Sequence, residues 1–254
     1  MTEWEPSLNL RERLKALLPP DLRIRYLYRR ELRQGESEIG LVRHLADPRR
    51  VSIDVGANKG VYAYAMLPHS ASVHAFEPNP KLFRMLASWA TNKVVLHQVA
   101  LSDESGPADL LVPIGRRGGY SNQGASLSAT KVRGAHGVVR VEARRLDDMA
   151  ISNVGFIKID VEGFEREVLE GAKETLRRDR PNLLVEIEEA HTKTPLTDMV
   201  GAVCSHGYEC IALVRGVLTR FDRIDVTAHH SAPAAPGDYV FNFMFFPKPI
   251  DNRP

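Results

Sequence analysis

Val51-Ser52-Ile53-Asp54-Val55-Gly56-Ala57-Asn58-Lys59-Gly60 is the stretch on which the reading of this chain turns. Val51 to Val55 is a short, largely apolar run of strand character. Gly56 and Gly60 follow, and the sequence through Leu67 has helical character. Strand, glycine turn and helix in that order open a parallel α/β sheet, where ligands bind beyond the carboxyl ends of the strands. The glycines let backbone pass close to a ligand, and the helix start offers unpaired N–H groups and a positive dipole end to an anion.

Working outward, Ser72 to Phe76 is a second strand closed by Glu77-Pro78, and Leu82, Phe83, Leu86, Ala87 and Ala90 recur as one helix face. Val94 to Val99 gives a third strand. Ala108 to Ile114 and Val138 to Ala143 read as strands around a glycine- and serine-rich stretch, Gly115 to Gly137. The alternation resumes with strand Val154 to Ile159, a helix from Phe164 through Leu176, strand Leu183 to Ile187, a helix around Leu196 to Ser205, a strand near Tyr208 to Val214 and a final strand from Tyr239 to Phe246. Strands alternating with helices at this spacing predict βαβ units in a parallel sheet with right-handed crossovers. Upstream, Leu10 to Ala46 has helical spacing broken at Pro19-Pro20. The expected organisation is a helical extension over 1–49 and one main domain over 50–254. The extension suits packing on that domain, a homodimer contact or part of a substrate lid.

Composition narrows the class. With 43% hydrophobic and 26% charged residues and a net charge of +2, the 254-residue chain is an ordinary globular protein that needs no acidic partner. Arg23, Arg25, Arg29, Arg30 and Arg33 read as a solvated basic helix face, so neither nucleic acid nor membrane is expected as a partner. Cys204 and Cys210 are too few for a disulfide scaffold and read as reduced thiols. The start Met-Thr-Glu-Trp-Glu lacks signal-peptide features, and no apolar run reaches the ~20 residues of a membrane span, so a cytoplasmic protein is expected.

The turn departs from a dinucleotide fingerprint where Asp54 stands in place of the first glycine. A carboxylate repels a pyrophosphate but attracts the ammonium group of a methionine moiety. Glu77, ending the next strand, is placed to accept both hydroxyl hydrogens of a ribose. Beyond the third strand, Ala100 and Leu101 suit one face of an adenine, with Ser102-Asp103 next; Asp103 suits either the exocyclic amine or a plain turn.

Together these pieces resemble the FkbM family of methyltransferases: IDVGANKG at Ile53 to Gly60, AFEPNP at Ala75 to Pro80, VALSD at Val99 to Asp103, RLDD at Arg145 to Asp148, IKIDVEGFEREVLEGA at Ile157 to Ala172, and LLVEIEEAH at Leu183 to His191. The resemblance implies the class I methyltransferase fold, a Rossmann-like, mostly parallel α/β sheet with helices on both faces, here behind an N-terminal helical extension. It also implies S-adenosyl-L-methionine as cofactor and O-methylation of a small-molecule acceptor, a sugar or natural product. The expected cofactor-binding set is Asp54, Gly56, Asn58, Gly60, Glu77, Pro78, Leu101, Ser102, Asp103 and Asp160.

An alcohol nucleophile is weak at neutral pH and gains from a general base or a metal. Asp160, Glu186 and His191 are the expected catalytic residues, at or just beyond the ends of neighbouring strands. Asp160 also reads as a helix cap, and Glu162 and Glu165 as first-turn acids. Glu188 shares a strand face with Glu186, and oxygen ligands of this kind with Asp160 suit Mg²⁺; no dedicated metal site is assigned. The stretch 115–137 reads as a flap over the acceptor side, or as an exposed insertion. Two other functions share the first unit: a nicotinamide-dependent oxidoreductase, which Asp54 disfavours, and an inactive binding module, which intact Asp54, Gly56, Gly60, Glu77 and Asp160 disfavour.

Overall fold

The computed structural model describes residues 17–114, 120, 124–127, 134–192, 194–232 and 235–249. Residues 1–16 and much of the 115–137 stretch lie outside them, so the start of the predicted leader and most of the predicted flap are not placed.

Strands β1 (Val51–Val55) and β2 (Ser72–Phe76) form as the sequence predicts, with helix α3 (Val61–Met66) between them. Helix α1 (Pro20–Gln34) starts at the predicted break, because proline is tolerated at the first helical position, where no N–H is needed. Helix α2 (Val42–Leu45) follows a 3₁₀ turn at Ser37–Leu41. After β2 come helix α4 (Pro80–Ala87) and strands β3 (Val94–His97), β4 (Ala100–Leu101), β5 (Gly106–Pro113) and β6 (His136–Arg144). Strand β7 (Val154–Ile159), helices α5 (Glu165–Glu170) and α6 (Lys173–Asp179), strand β8 (Asn182–Glu186), helices α7 (Glu189–Thr192) and α8 (Leu196–Ser205), and strands β9 (Tyr208–Val214), β10 (Val217–Arg220) and β11 (Asn242–Pro247) complete the chain.

Among the described residues an eight-stranded sheet runs β10-β9-β11-β8-β7-β1-β2-β3, with a separate three-stranded sheet β4-β6-β5. The pairings β1 with β2 and β7, β2 with β3, and β7 with β8 are parallel. Those of β11 with β8 and β9, and of β9 with β10, are antiparallel. This is the Rossmann-like class I architecture, with an antiparallel flank that the alternation rule does not reveal.

Both faces of the sheet are covered. Ile53, Val55, Ile157, Ile159 and Val185 pack with Val168, Leu176 and Met199 on one side. Phe156, Leu184 and Met244 pack on the other with Ala63, Met66 and Leu86, and with Ile24, Ile39, Val42 and Leu45 of the extension. The extension therefore shares the sheet's core.

Three expected elements are redrawn. The helix predicted from Phe164 through Leu176 is two, because Gly171 packs against the Ser102 carbonyl so tightly that a Cβ there would stand 1.9 Å from its oxygen. The third strand stops at His97, and Ala100–Leu101 instead joins the smaller sheet beside β6. The final strand begins at Asn242 rather than Tyr239.

Candidate active site

The turn after β1 is shaped by two close approaches. Gly56 has φ +75°, and a Cβ there would lie 1.9 Å from the Asp160 carbonyl oxygen, so the tips of β1 and β7 meet at a residue without a side chain. Gly60 has φ +82°, and a Cβ there would press on Trp89 and Leu86 at 2.3 and 2.4 Å. It seats the start of α3 against α4 and Trp89. The Trp89 indole also donates to the Lys59 carbonyl at 2.9 Å.

Glu77 is held from both sides. The Asn58 amide donates to Oε2 at 2.7 Å and the Asn79 amide to Oε1 at 2.8 Å. Asn58 reaches this position through a left-handed φ of +53°. Asn79 in turn caps α4, its side chain accepting from the Lys81 amide. Burial pushes the Glu77 carboxyl up to about 7, against the two N–H groups that favour its charge. Each carboxylate oxygen has capacity for a second hydrogen bond.

A cavity open to solvent lies above this turn. Gly56, Asn58, Glu77, Pro78, Leu101 and Asp160 of the expected cofactor set line it, together with apolar Phe76, Leu82, Val99 and Leu110. Gly124 to Leu127 lie on its wall, fixed by backbone bonds between Ser126 and Leu111 and by the Gly124 amide donating to Glu162 Oε1 at 2.9 Å. Of the described residues of the predicted flap, Gly124 to Leu127 therefore border the cavity.

Asp54, Gly60, Ser102 and Asp103 do not line this cavity. Asp54 is fully buried behind the turn. Its Oδ2 accepts from the Ala63 amide at 2.8 Å, inside the first turn of α3, and burial raises it to about 6, with Lys158 opposing. Ser102 and Asp103 border a neighbouring hollow, because the backbone after β4 is pressed onto Gly171.

Asp54 faces Lys158 across the β1–β7 pairing, Nζ to Oδ1 at 3.9 Å, and Lys158 donates to Asp160 Oδ2 at 3.0 Å. Burial opposes the Lys158 charge, but Asp160, Asp54 and Glu36 outweigh it and hold the ammonium group protonated well above its ordinary range. Asp160 is not a helix cap: α5 begins after Phe164 without a side-chain cap. Glu165 instead grips the preceding loop, accepting from the amides of Val161 and Gly163, and burial pushes it up to about 7.

Glu186 lies on the same sheet face as Asp54 and Lys158. Burial, then Asp160, raise its carboxyl far above the usual range. His191 stands between two acids, Nδ1 3.8 Å from Glu162 Oε2 and Nε2 3.6 Å from Glu188 Oε2. Tyr239 donates to Glu188 Oε2 at 3.2 Å. Asp160, Glu186 and Glu188 do not converge on one point, and among the described residues no group of three or more His, Cys, Asp or Glu is disposed to hold a metal ion, so the Mg²⁺ expectation finds no support.

Behind the cavity wall, Lys158, Tyr62, Glu36 and Asn242 form a linked polar group that reaches Asp160 and that sequence patterns do not single out. Only Lys158 leaves a signal, as a lone charge inside the otherwise apolar run Val154 to Ile159.

The methyltransferase FkbM domain matches residues 54–210. The chain belongs to the FkbM methyltransferase family. Among curated proteins, this FkbM-family chain is 29% identical over 197 residues to the 31-O-demethyl-FK506 methyltransferase FkbM of Streptomyces tacrolimicus, covering 65% of the chain and 75% of that protein. It is 30% identical to the 2-O-methyltransferase NoeI of Sinorhizobium fredii, over 55% of the chain and 64% of that protein. It is also 30% identical to the hexuronic acid methyltransferase AglP of Haloferax volcanii, over 58% of the chain and 60% of that protein. In fold it matches a crystal structure of methyltransferase FkbM from Methylobacillus flagellatus with a TM-score of 0.51 at 16% identity, covering 92% of this chain and 57% of that one. Family membership sets the oxidoreductase alternative aside and implies S-adenosylmethionine as the methyl donor.

The cavity fits that donor. Glu77 offers a ribose two acceptor oxygens, and the apolar walls at Phe76, Leu82, Val99 and Leu101 suit a purine. Among the described residues no helix is long and apolar enough to cross a membrane.

Proposed function

We propose that this protein transfers a methyl group from S-adenosylmethionine to a hydroxyl of a small-molecule acceptor, a sugar or natural product rather than a nucleic acid, and does so in the cytoplasm. The observation that carries the reading is the Glu77 carboxylate, clamped by the Asn58 and Asn79 amides at the wall of a cavity reached through the Gly56 turn. The relatives' names point to hydroxyl-bearing acceptors, and free Cys204 and Cys210 suit a reducing compartment.

Bound S-adenosylmethionine supplies an electrophilic methyl on a sulfonium. The chain's own work is alignment and exclusion of water. In this reading Glu77 would anchor the ribose, and Leu101 and Phe76 would offer apolar surface to the base. Asp160, which lines the cavity, receives the acceptor's O–H hydrogen bond, its carboxylate held in place by Lys158. His191 does not line the cavity but lies beside Glu162, which does, and in this reading it would be the onward acceptor of the proton released toward Asp160. Gly124 to Leu127 shield the cavity. Incubating the protein with methyl-labelled S-adenosylmethionine and a panel of glycosides and polyketide alcohols tests the reading: labelled methyl ethers support it. Binding of NAD with no binding of S-adenosylhomocysteine overturns it.

A further inference from the structure

Glu36 lies in the extension, between α1 and the 3₁₀ turn, yet its side chain reaches the sheet. Its Oε2 accepts from Tyr62 Oη at 2.7 Å and from Asn242 Nδ2 at 3.1 Å, joining the extension to α3 and to β11. Tyr62 stacks over the charge next in line: Lys158 Nζ stands 5.0 Å from its ring centroid, while bonding Asp160 and facing Asp54. By alternation along the strands, Asp54, Lys158, Glu186 and Asn242 share the sheet face that the extension covers, as two cross-strand pairs: Asp54 opposite Lys158 on β1 and β7, and Glu186 opposite Asn242 on β8 and β11, displaced toward the strand ends.

Four carboxyl groups, Glu36, Asp54, Asp160 and Glu186, thus surround one ammonium group. The electrostatics of Tyr62, Lys158, Asp54 and Glu186 all carry an influence of Glu36. Asp160, bonded to Lys158, links this polar face to the cavity wall. Methyl transfer changes the charge on the sulfur: the donor is a sulfonium cation and the product a neutral thioether, while nothing else on the cofactor changes. An acidic wall beside the transfer site therefore acts on donor and product differently.

We infer that the N-terminal extension completes the methyl-transfer site, Glu36 serving as a positioning residue that fixes Tyr62 and Asn242 beside the Lys158–Asp160 pair and gives this wall the negative charge that favours the cationic donor over the neutral product. The inference rests on the proposed S-adenosylmethionine chemistry and adds a residue and a selectivity to it. Glu36 touches neither the cavity lining nor Lys158 through a hydrogen bond, so it works through Tyr62, Asn242 and charge.

Glu36→Gln in the full chain keeps a carbonyl acceptor for Tyr62 and Asn242 but removes the charge. Calorimetric titration of wild type and variant with S-adenosylmethionine and with S-adenosylhomocysteine, alongside thermal unfolding, is the test. Affinity for the methionine form should fall about five-fold and that for the homocysteine form by less than about two-fold, with the unfolding midpoint nearly unchanged. Glu36→Ala should add a loss of stability, and should it fail to fold, Glu36→Gln still decides. Equal losses for both ligands, or no loss for either, overturn the inference while leaving the proposed function standing. A wild-type protein that binds neither ligand overturns the functional reading, and this inference with it.

Discussion

Gly56 and Asp160 meet so closely that a single added carbon on the glycine would stand 1.9 Å from the Asp160 carbonyl oxygen. Because that oxygen belongs to the backbone at the tip of β7, it cannot swing away as a side chain would. The left-handed φ of +75° at Gly56 adds a second penalty for any other residue.

Gly56→Ala should therefore cost at least about 2 kcal/mol of folding stability, by backbone strain and the forced separation of two strand tips. Gly201, within α8, has open space where a Cβ would stand, with nothing within 4 Å, and Gly201→Ala should stabilise by about 0.5 to 1 kcal/mol. Urea unfolding of the two variants gives the comparison. Equal effects at the two sites would refute the close-approach argument.

Glu77→Ala should weaken binding of S-adenosylhomocysteine by roughly 1 to 3 kcal/mol, the usual cost of leaving bonded groups unpaired. The wild-type affinity should also depend on pH. The carboxyl is raised to about 7 by burial, and two ribose hydroxyls donate more strongly to its ionised form, in which both oxygens accept, than to the neutral acid. Binding should release a proton, so affinity should rise as pH passes up through about 7 and level off above it. Calorimetry in buffers of different ionisation enthalpy checks the proton release.

Stability of the cofactor-free protein should show the opposite slope. Asp54 at about 6, Glu77 at about 7 and Glu165 at about 7 are all raised by burial above their unfolded values, so the folded state holds more protons than the unfolded between about pH 4.5 and 7. Their contribution is complete below that window and is lost as pH rises through it. Thermal midpoints measured from pH 5 to 8 should fall, and saturating S-adenosylhomocysteine should flatten the trend. A midpoint that rises across the window would contradict the assignment.

Lys158→Met should destabilise by about 3 to 5 kcal/mol, since it strands the fully buried Asp54 without its cation and takes the same partner from the half-buried Asp160. Pairing it with Asp54→Asn should recover part of the loss. A double-mutant cycle on unfolding free energies measures that coupling, and strict additivity would mean that Lys158 and Asp54 do not interact.

What can be read in the sequence is what depends on local order. β1, β2 and β7 have the predicted bounds because each is a mostly apolar run between turn residues, and Glu77 is legible because it directly ends such a run. The break at Gly171 is not, since its cause is the Ser102 carbonyl, distant in the chain. The same contact carries Asp103 away from the cavity where adjacency to Leu101 would put it. Glu36 bonds Asn242 across 206 positions, and no periodicity reports a pair so far apart. Asp54 stands out in the sequence as unusual, but its bond to the Ala63 amide shows that part of its task is to hold the helix start.

The place of β11 in the sheet has a consequence for how the protein is made. Among the described residues it is the last strand in chain order, yet it lies between β8 and β9 and pairs with both. As the chain leaves the ribosome, β8 offers a bare edge, and β9 with β10 forms a hairpin with nowhere to dock, until residues 242–247 emerge. The nascent chain thus carries one unpaired edge from β8 onward and a second once β9 is made, an opening for intermolecular pairing that a chaperone or rapid synthesis of this stretch would shorten.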